Sequence, residues 1–378
     1  MRGGKGIHTL LKRTTLNTIK LLKTLDALCG GLFCYLLPRG RRAERVAEVG
    51  RLLIIRPGGI GDAVLLAPAL GALRRKFPAA TITVLAEKRN AGVFALIPGV
   101  DQVLRYDVPR EFLAALRLRP ELAIDTEQYH RLSAVVARLT GATTLIGFAS
   151  NERSRLFHHA LPYSHDDYEA ESFLHLLAPL GIPAPTAPEP PFLSVPHESQ
   201  GRAEELLSPL AGQPFVTLFP GASIAERRWG AERFAQVAGA LCRHGYACVV
   251  VGGREDGAAG AAITAGAGGL NLAGQTSLAE TAAILARSAL LVSGDSGVLH
   301  LGVGLGIPTV SLFGPGIAKK WAPRGPRNRV LDRRLPCSPC TRFGSTPPCP
   351  RQAACLQGIG PELVVEACLA LLPAGRSG

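Results

Sequence analysis

The feature that most constrains this chain is a repeated order of short apolar strand, glycine-containing turn and helix. Residues 51–56 (RLLIIR) predict a strand. The turn Pro57-Gly58-Gly59-Ile60-Gly61-Asp62 follows, and the pattern from Ala63 to Phe77 predicts a helix. Further strands are predicted at 81–86 and 122–125. Alternating strands and helices with short loops favour a parallel, doubly wound sheet.

The second half of the chain repeats this plan. Strands are predicted at 215–219, 247–251, 290–293 and 309–313, and a helix at 231–244. Glycine or small residues follow each strand, where open α/β sheets bind ligands. Between the halves, the segment 181–196 (GIPAPTAPEPPFLSVP) is too rich in proline for an element interior and predicts the hinge. We expect a basic arm (1–50), two Rossmann-like domains facing a cleft (51–195 and 196–360), and a C-terminal helix and tail (361–378).

The net charge of +13 is concentrated near the N-terminus of the 378-residue chain. Residues 1–56 hold twelve Lys and Arg against three acids, a net of +9, so the rest of the chain contributes +4. This asymmetry indicates a basic arm that meets an anionic surface, and it argues against a nucleic-acid partner bound across the fold. The sequence contains no uncharged apolar run of about 18 residues, so no spanning helix is predicted.

The arm also has helical periodicity. One stripe collects the apolar residues Ile7, Leu10, Leu11, Leu21, Leu22, Leu25, Leu28, Cys29, Leu32, Phe33 and Leu36. The opposite face carries lysines and an arginine, which is typical of an amphipathic helix lying on an anionic leaflet. Residues 1–40 are therefore predicted to bind a membrane surface; a helix packed on the protein body and a disordered tail are the alternatives. Asp26 interrupts the apolar stretch and argues against a cleaved signal peptide, so we expect a cytoplasmic protein.

The first glycine turn admits two interpretations. Its backbone N–H groups open a helix and favour an anion, and Glu87 after the next strand could hold the ribose of a nicotinamide cofactor. However, a dinucleotide fingerprint would have a glycine where Val64 stands. Asp62 would repel a pyrophosphate but could take a proton from an acceptor hydroxyl. A helix N-cap is the alternative role for Asp62.

Candidate anion-binding groups follow two strands of the second half. Arg227-Arg228-Trp229 places guanidinium groups near a strand end, and such groups suit phosphate oxygens. Asp295-Ser296-Gly297 offers a hydroxyl and successive N–H groups at a helix start, with His300 one turn later. A solvated basic loop and a structural histidine are the alternatives.

Three segments together resemble glycosyltransferase family 9, the ADP-heptose:lipopolysaccharide heptosyltransferases. They are RLLIIRPGGIGDAVLLAPALGALRRKFP, LFPGASIAERRWGAERFAQVA and LAGQTSLAETAAILARSALLVSGDSGVLHLGVGLGIPTVSLFGP. The resemblance covers roughly residues 51–373, with the motifs in the family's order. It implies a GT-B fold, inversion at the anomeric carbon, and no metal or other cofactor.

The resemblance also implies roles for individual residues. Asp62 matches the catalytic base. Arg227 stands where the family usually has a lysine on the donor phosphates, and Glu255 matches an acid that holds the donor ribose. The other implied donor-binding residues are Asp295, Ser296, Gly297 and His300, and the implied acceptor-side loop contains Gly58, Gly59 and Gly61. The implied partners are a sugar nucleotide, ADP-heptose, and a lipid-anchored saccharide of the lipopolysaccharide core, which would be met at the inner face of the inner membrane.

Two other functional classes remain open at this point. A nicotinamide-dependent oxidoreductase would need the missing cofactor fingerprint, and a non-catalytic envelope-assembly protein would have little need to keep Asp62 and Asp295. Four of the nine cysteines cluster as Cys337-x2-Cys340-x8-Cys349-x5-Cys355. They could close a tetrahedral zinc site, but we favour reduced thiols in a surface loop and predict no metal.

Overall fold

The computed structural model describes residue 24 and residues 26–40, 48–183, 189–342 and 345–373. In these residues the chain forms two six-stranded parallel sheets. The first has the order β3-β2-β1-β4-β5-β6, with β1 (Arg51–Arg56), β2 (Thr81–Ala86), β3 (Gln102–Arg105), β4 (Leu122–Asp125), β5 (Thr144–Phe148) and β6 (His159–Leu161). The second has the order β12-β11-β10-β7-β8-β9, with β7 (Phe215–Phe219), β8 (Ala247–Val250), β9 (Leu270–Asn271), β10 (Leu290–Gly294), β11 (Thr309–Phe313) and β12 (Asn328–Asp332).

Helices cover the faces of both sheets. In the first half they are α1 (Gly31–Leu36), α2 (Ile60–Leu65), α3 (Ala67–Lys76), α4 (Ala91–Phe94), α5 (Pro109–Leu116), α6 (Arg131–Leu139) and α7 (Glu169–His175). The others are α8 (His197–Leu207), α9 (Ala231–Arg243), α10 (Gly257–Thr264), α11 (Leu278–Arg287), α12 (Gly297–Gly304), α13 (Ala318–Trp321), α14 (Ala354–Gln357) and α15 (Pro361–Leu369). This architecture confirms the predicted class of two doubly wound, Rossmann-like halves.

The strand order of each sheet indicates the edge at which a ligand can bind. The first strand of each sheet, β1 or β7, lies between neighbours that continue the sheet in opposite directions. In the first sheet the switch lies between β1 and β4, and in the second between β7 and β10. Open α/β sheets bind ligands in the crevice at such switch points, beyond the carboxyl ends of the strands. The turns that carry Asp62 and Asp295 begin at these two edges.

The single helix predicted from 63 to 77 is wrong in detail. The structure has two helices there, α2 and α3, which meet at Leu66. Pro68 lies in the first turn of α3, where its missing N–H leaves no hydrogen bond unmade. The first helix starts at Ile60, so Asp62 lies in its first turn instead of before it.

The two halves share an apolar core. One cluster of buried residues continues from Val93 and Leu96 in the first half to Leu285 and Leu291 in the second. The hinge expected at 181–196 includes residues 184–188, which lie outside the described residues. The final helix α15 packs against α9 of the second half. The domain boundaries drawn from the sequence stay predictions.

Only the end of the predicted amphipathic arm is described, because residues 1–23 lie outside the described residues. A turn of π-helix (Asp26–Gly30) leads into α1. The Asp26 carboxylate accepts the N–H of Leu132 at 2.7 Å and so anchors this segment to the start of α6. Cys34 is buried on the same side, while apolar residues of the predicted stripe, Leu28 and Leu32 among them, are exposed.

Candidate active site between the two halves

The glycine turn after β1 places Asp62 at the edge of the first sheet. Gly58 has φ +106°, a conformation that favours glycine, and its N–H donates to the Glu87 carboxylate at 3.1 Å. Gly59 occupies the N-cap position of α2. Asp62 therefore does not have the predicted alternative role of N-cap, and its side chain is 26% exposed. The carboxylate is accessible to a ligand.

Glu87 has a structural role in this turn. It is buried, and besides the N–H of Gly58 it pairs with Arg89, whose Nε lies 2.8 Å from its Oε2. A ribose-binding acid must present its oxygens to the ligand, whereas Glu87 Oε2 is engaged by the turn and by Arg89. The arrangement disfavours the nicotinamide interpretation.

A buried arginine lies behind Asp62. Arg56 ends β1, and its Nη1 donates to the Thr126 carbonyl at 2.9 Å. Its Nη2 lies 3.4 Å from Glu127 and 3.9 Å from the Asp62 carboxylate. Burial raises the pKa of Glu127, but Arg56, with His130 and Arg153, outweighs burial and lowers it. The only local signal for Arg56 is its charge at the end of an apolar strand, and that pattern by itself predicts no role.

Two predicted donor-side residues form an ion pair. Arg227 ends a 3₁₀ turn (Ala225–Arg227) after β7, and Asp295 follows β10. The Arg227 Nη1 lies 2.8 Å from the Asp295 Oδ2, and both side chains are largely buried. Gly316, in the turn after β11, lies directly against the Asp295 carboxylate. Three loops at one sheet edge thus enclose a cation and an anion.

The helix after Asp295 presents its N-terminus to the first half. Ser296 caps α12, because its Oγ accepts the Leu299 N–H at 3.2 Å. A Cβ on Gly297 would lie 2.7 Å from Ile60, so only glycine permits this approach. The structure therefore brings the turn of residues 58–61 and the turn of residues 295–297 into contact.

His300 lies at this contact. The side chain is buried, and its Nδ1 has no hydrogen-bond partner among the described residues. Burial lowers its pKa to about 4, and the nearby Arg227 adds to the decrease while Asp295 opposes it. The imidazole is consequently neutral near pH 7, and its enclosed Nδ1 has a hydrogen-bonding capacity that no described residue meets.

Glu255 lies at the same edge of the second sheet. It belongs to a 3₁₀ turn (Arg254–Asp256) after β8, the strand next to β7. Its neighbour Asp256 is buried and accepts the N–H of Gly253 at 2.9 Å. Glu255 itself is exposed, so its carboxylate is accessible from solvent.

The late cysteines do not form a metal site in the structure. All nine cysteines are free thiols. Within the described ranges, no group of three or more His, Cys, Asp or Glu side chains is arranged to hold a metal ion. Cys337 is exposed and Cys355 is buried.

A separate groove of about 920 Å³ lies beside α3. Its walls include Ala67, Arg75, Ile97 and Phe192, and it contains none of the predicted site residues. Asp62, Ser296 and His300 instead lie where α2 meets α12.

Comparisons with known proteins identify the family. A model described as glycosyltransferase family 9 (heptosyltransferase) matches residues 115–349. Lipopolysaccharide heptosyltransferase 2 of Salmonella typhimurium is 25% identical over 304 residues, covering 74% of this chain and 87% of that protein. Two solved structures share the fold. A family 9 glycosyl transferase from Veillonella parvula has a TM-score of 0.72 at 21% identity, covering 87% of this chain and 99% of that one. The E. coli ADP-heptose lps heptosyltransferase II has a TM-score of 0.71 at 23% identity, covering 85% and 98%.

Proposed function

This chain belongs to glycosyltransferase family 9 and is a glycosyltransferase, and on that premise we propose that it transfers a heptose from ADP-heptose to an acceptor of the lipopolysaccharide core. The names of its relatives support both partners, since they are lipopolysaccharide heptosyltransferases and one solved neighbour is named for ADP-heptose. The reaction inverts the anomeric carbon, because the acceptor hydroxyl attacks from the face opposite the departing diphosphate.

Asp62 is the proposed base. It takes the proton of the acceptor hydroxyl as that oxygen attacks the anomeric carbon. The accessible carboxylate in the first turn of α2 supports this role, and the Arg56 guanidinium lies 3.9 Å behind it. The loop of Gly58, Gly59 and Gly61 precedes Asp62 and would face the acceptor.

The second half binds the donor in this proposal. Arg227 and the N–H groups at the start of α12 stabilise the charge that grows on the leaving diphosphate. Asp295 orients Arg227 through their ion pair and faces the sugar. His300, whose Nδ1 has no partner among the described residues, donates to the sugar or phosphate, and the exposed Glu255 accepts from the ribose hydroxyls. Ser296 contributes mainly as the cap that holds α12 in place.

The contact between Gly61 and His300 carries this proposal, because Asp62 follows Gly61 and His300 lies on the helix that follows Asp295. The test is Asp62→Asn, assayed for heptose transfer and for ADP binding by calorimetry. We expect transfer to fall by roughly 10²- to 10⁴-fold while ADP binding stays close to wild type. Asp107→Asn is the matched control, since Asp107 is an exposed acid that accepts the Lys88 N–H. Full turnover by Asp62→Asn would remove Asp62 from the role of base.

We also propose that the arm, residues 1–40, holds the enzyme on the anionic inner face of the inner membrane, on the cytoplasmic side. Leu28, Leu32 and Leu36 are 74%, 60% and 67% exposed, on the side of the segment opposite Cys34 and Asp26. The basic charge of residues 1–56 complements an anionic leaflet. Among the described residues, no helix is long and apolar enough to cross a membrane.

A further inference from the structure

A lysine of the donor half is buried inside the acceptor half. Lys320 belongs to α13 and is 1% exposed. Its Nζ donates to the Ser164 carbonyl at 2.7 Å and to the Ser172 hydroxyl at 2.8 Å, and it lies 2.8 Å from the Glu169 carboxylate. All three partners belong to the first half of the chain. The cation is therefore in place only when the two halves are together.

Glu169 is the buried acid that receives this cation. Its carboxylate also accepts from Tyr163 Oη at 2.9 Å and from Gln128 Nε2 at 2.5 Å. Burial raises the pKa of Glu169, Lys320 opposes that rise, and the charge of Asp62 adds to it. Glu169 is thus near enough to Asp62 for the two carboxylates to repel each other.

A continuous chain of polar contacts joins Lys320 to Asp62. Gln128, whose amide donates to Glu169, lies with its Oε1 3.4 Å from Arg56 Nη2. The same Arg56 nitrogen lies 3.9 Å from Asp62 Oδ2. Arg56 is further fixed over the Phe173 ring, 5.5 Å from its centroid, on the helix that carries Glu169. We refer to Lys320, Glu169, Gln128, Arg56 and Asp62 as the polar relay.

We propose that Lys320 is a positioning residue, which completes the polar relay from the donor half and so holds Asp62 in its reactive orientation only while the two halves are together. This inference rests on the proposed role of Asp62 as base. Hydrogen bonds in a buried network strengthen one another. A buried charge without a partner destabilises the folded state. Loss of Lys320 would leave Glu169 unneutralised and let the relay rearrange.

Two neighbouring cations allow the positioning role of Lys320 to be distinguished from a role in merely holding the two halves together. Lys319 pairs with Asp166 at 2.7 Å, and Arg324 pairs with Glu171 at 2.7 Å, so both also cross the boundary. These pairs are more exposed and touch no member of the polar relay. Lys319→Met is therefore a matched control, which removes an interface cation one residue away from Lys320.

The experiment compares Lys320→Met, Gln128→Met and Lys319→Met in the full-length chain, with steady-state kinetics for ADP-heptose and a heptose-deficient lipopolysaccharide acceptor. Gln128→Met interrupts the relay within the first half and leaves the Lys320–Glu169 pair intact. We expect kcat to fall at least about tenfold for both relay variants, with donor and acceptor KM little changed, since small misplacements of reacting groups carry large rate penalties. Lys319→Met should keep wild-type kcat and KM.

Wild-type kcat in Lys320→Met or in Gln128→Met would overturn the polar relay. A defect that appears mainly in KM, or equally in Lys319→Met, would reduce Lys320 to adhesion between the halves and also overturn it. Gln128→Met keeps the proposal testable if Lys320→Met does not fold, because Gln128→Met leaves no unpaired buried charge. Asp62→Asn in the same assay separates failure of the relay from failure of the proposed base. Full activity of Asp62→Asn would overturn the base. An inactive Asp62→Asn together with a fully active Lys320→Met would overturn only the relay.

Discussion

Gly61 in the first half and His300 in the second lie in direct contact across the boundary between the halves. A Cβ built on Gly61 would lie 2.6 Å from His300 Cδ2, closer than real side chains approach. The same boundary excludes a Cβ from Gly297, which would meet Ile60 at 2.7 Å. Glycine on each side is thus what permits the two turns to meet, and Asp62 is the residue next to one of them.

Gly61→Ala should uncouple the two halves at the reacting centre. The added methyl would push His300 and α12 away from Asp62, so we expect kcat/KM to fall by about 10²-fold while the fold is retained. The matched control is Gly71→Ala in α3, where the Cβ would lie 3.5 Å from Arg75 in ordinary contact. That control should keep its activity and gain up to about 1 kcal/mol of stability, since alanine is the better helix former. Equal activity of both variants would contradict the contact.

His300 should make the protein sensitive to acid. Its pKa is lowered from 6.5 to about 4 in the folded state, chiefly by burial, so the unfolded chain binds more protons between those values. Stability from this group is therefore complete above pH 6.5 and is lost as the pH falls toward 4, by up to roughly 3 kcal/mol. Urea unfolding of wild type and His300→Asn from pH 7 to pH 4 measures it. His300→Asn should lose less free energy of unfolding over this pH range than wild type. His175→Gln, which replaces an exposed histidine, should lose as much as wild type.

The interior of each sheet could be predicted from the sequence, and its margins could not. Strands β1, β2, β4, β7 and β11 have the predicted bounds, because buried parallel strands are continuous apolar runs. Strands β3, β6, β9 and β12 were not predicted, since they are short or carry polar residues toward the sheet edges. Strand β5 was missed for another reason. It follows the apolar helix α6 after a short turn, and a short apolar run can belong to either element.

Part of the candidate site could likewise be predicted from the sequence, and part of it could not. Asp62, Arg227 and Asp295 follow strand ends, where the parallel sheet itself predicts ligand-binding residues. The contact between the turns and the burial of Lys320 against Glu169 depend on how the halves pack. No local pattern encodes that packing, because the partners lie far apart along the chain.

Arg227 should be replaceable by lysine but not by a neutral residue. Its guanidinium pairs with Asp295 at 2.8 Å, and its Nη2 lies 3.5 Å from the Thr341 hydroxyl. Arg227→Met removes the cation and leaves Asp295 unpaired, so donor kcat/KM should fall by about 10²- to 10³-fold. Arg227→Lys keeps the charge and should lose less than about tenfold, because a single ammonium can still reach a phosphate.

The control for this series is Arg228→Met. Arg228 is the adjacent cation, but its guanidinium donates to the Ala222 carbonyl at 2.9 Å and 3.0 Å instead of facing Asp295. Its loss should change donor kcat/KM by less than about threefold, as is usual for exposed charges. An effect of Arg228→Met as large as that of Arg227→Met would show that general basicity of the loop, not the pair with Asp295, serves the donor.

The exposed leucines before and within α1 should insert into an anionic bilayer. Leu28→Ser/Leu32→Ser should weaken sedimentation with phosphatidylglycerol-containing vesicles at least about tenfold, because burial of each leucine contributes roughly 1.5–3 kcal/mol. Leu113→Ser is the matched control, since Leu113 is a half-exposed leucine on α5.

Binding to these vesicles should also weaken as salt rises from about 0.1 M to about 1 M, because salt screens the charge of the basic arm. Equal binding to neutral phosphatidylcholine vesicles would contradict the charge argument, and wild-type binding by the double variant would contradict insertion.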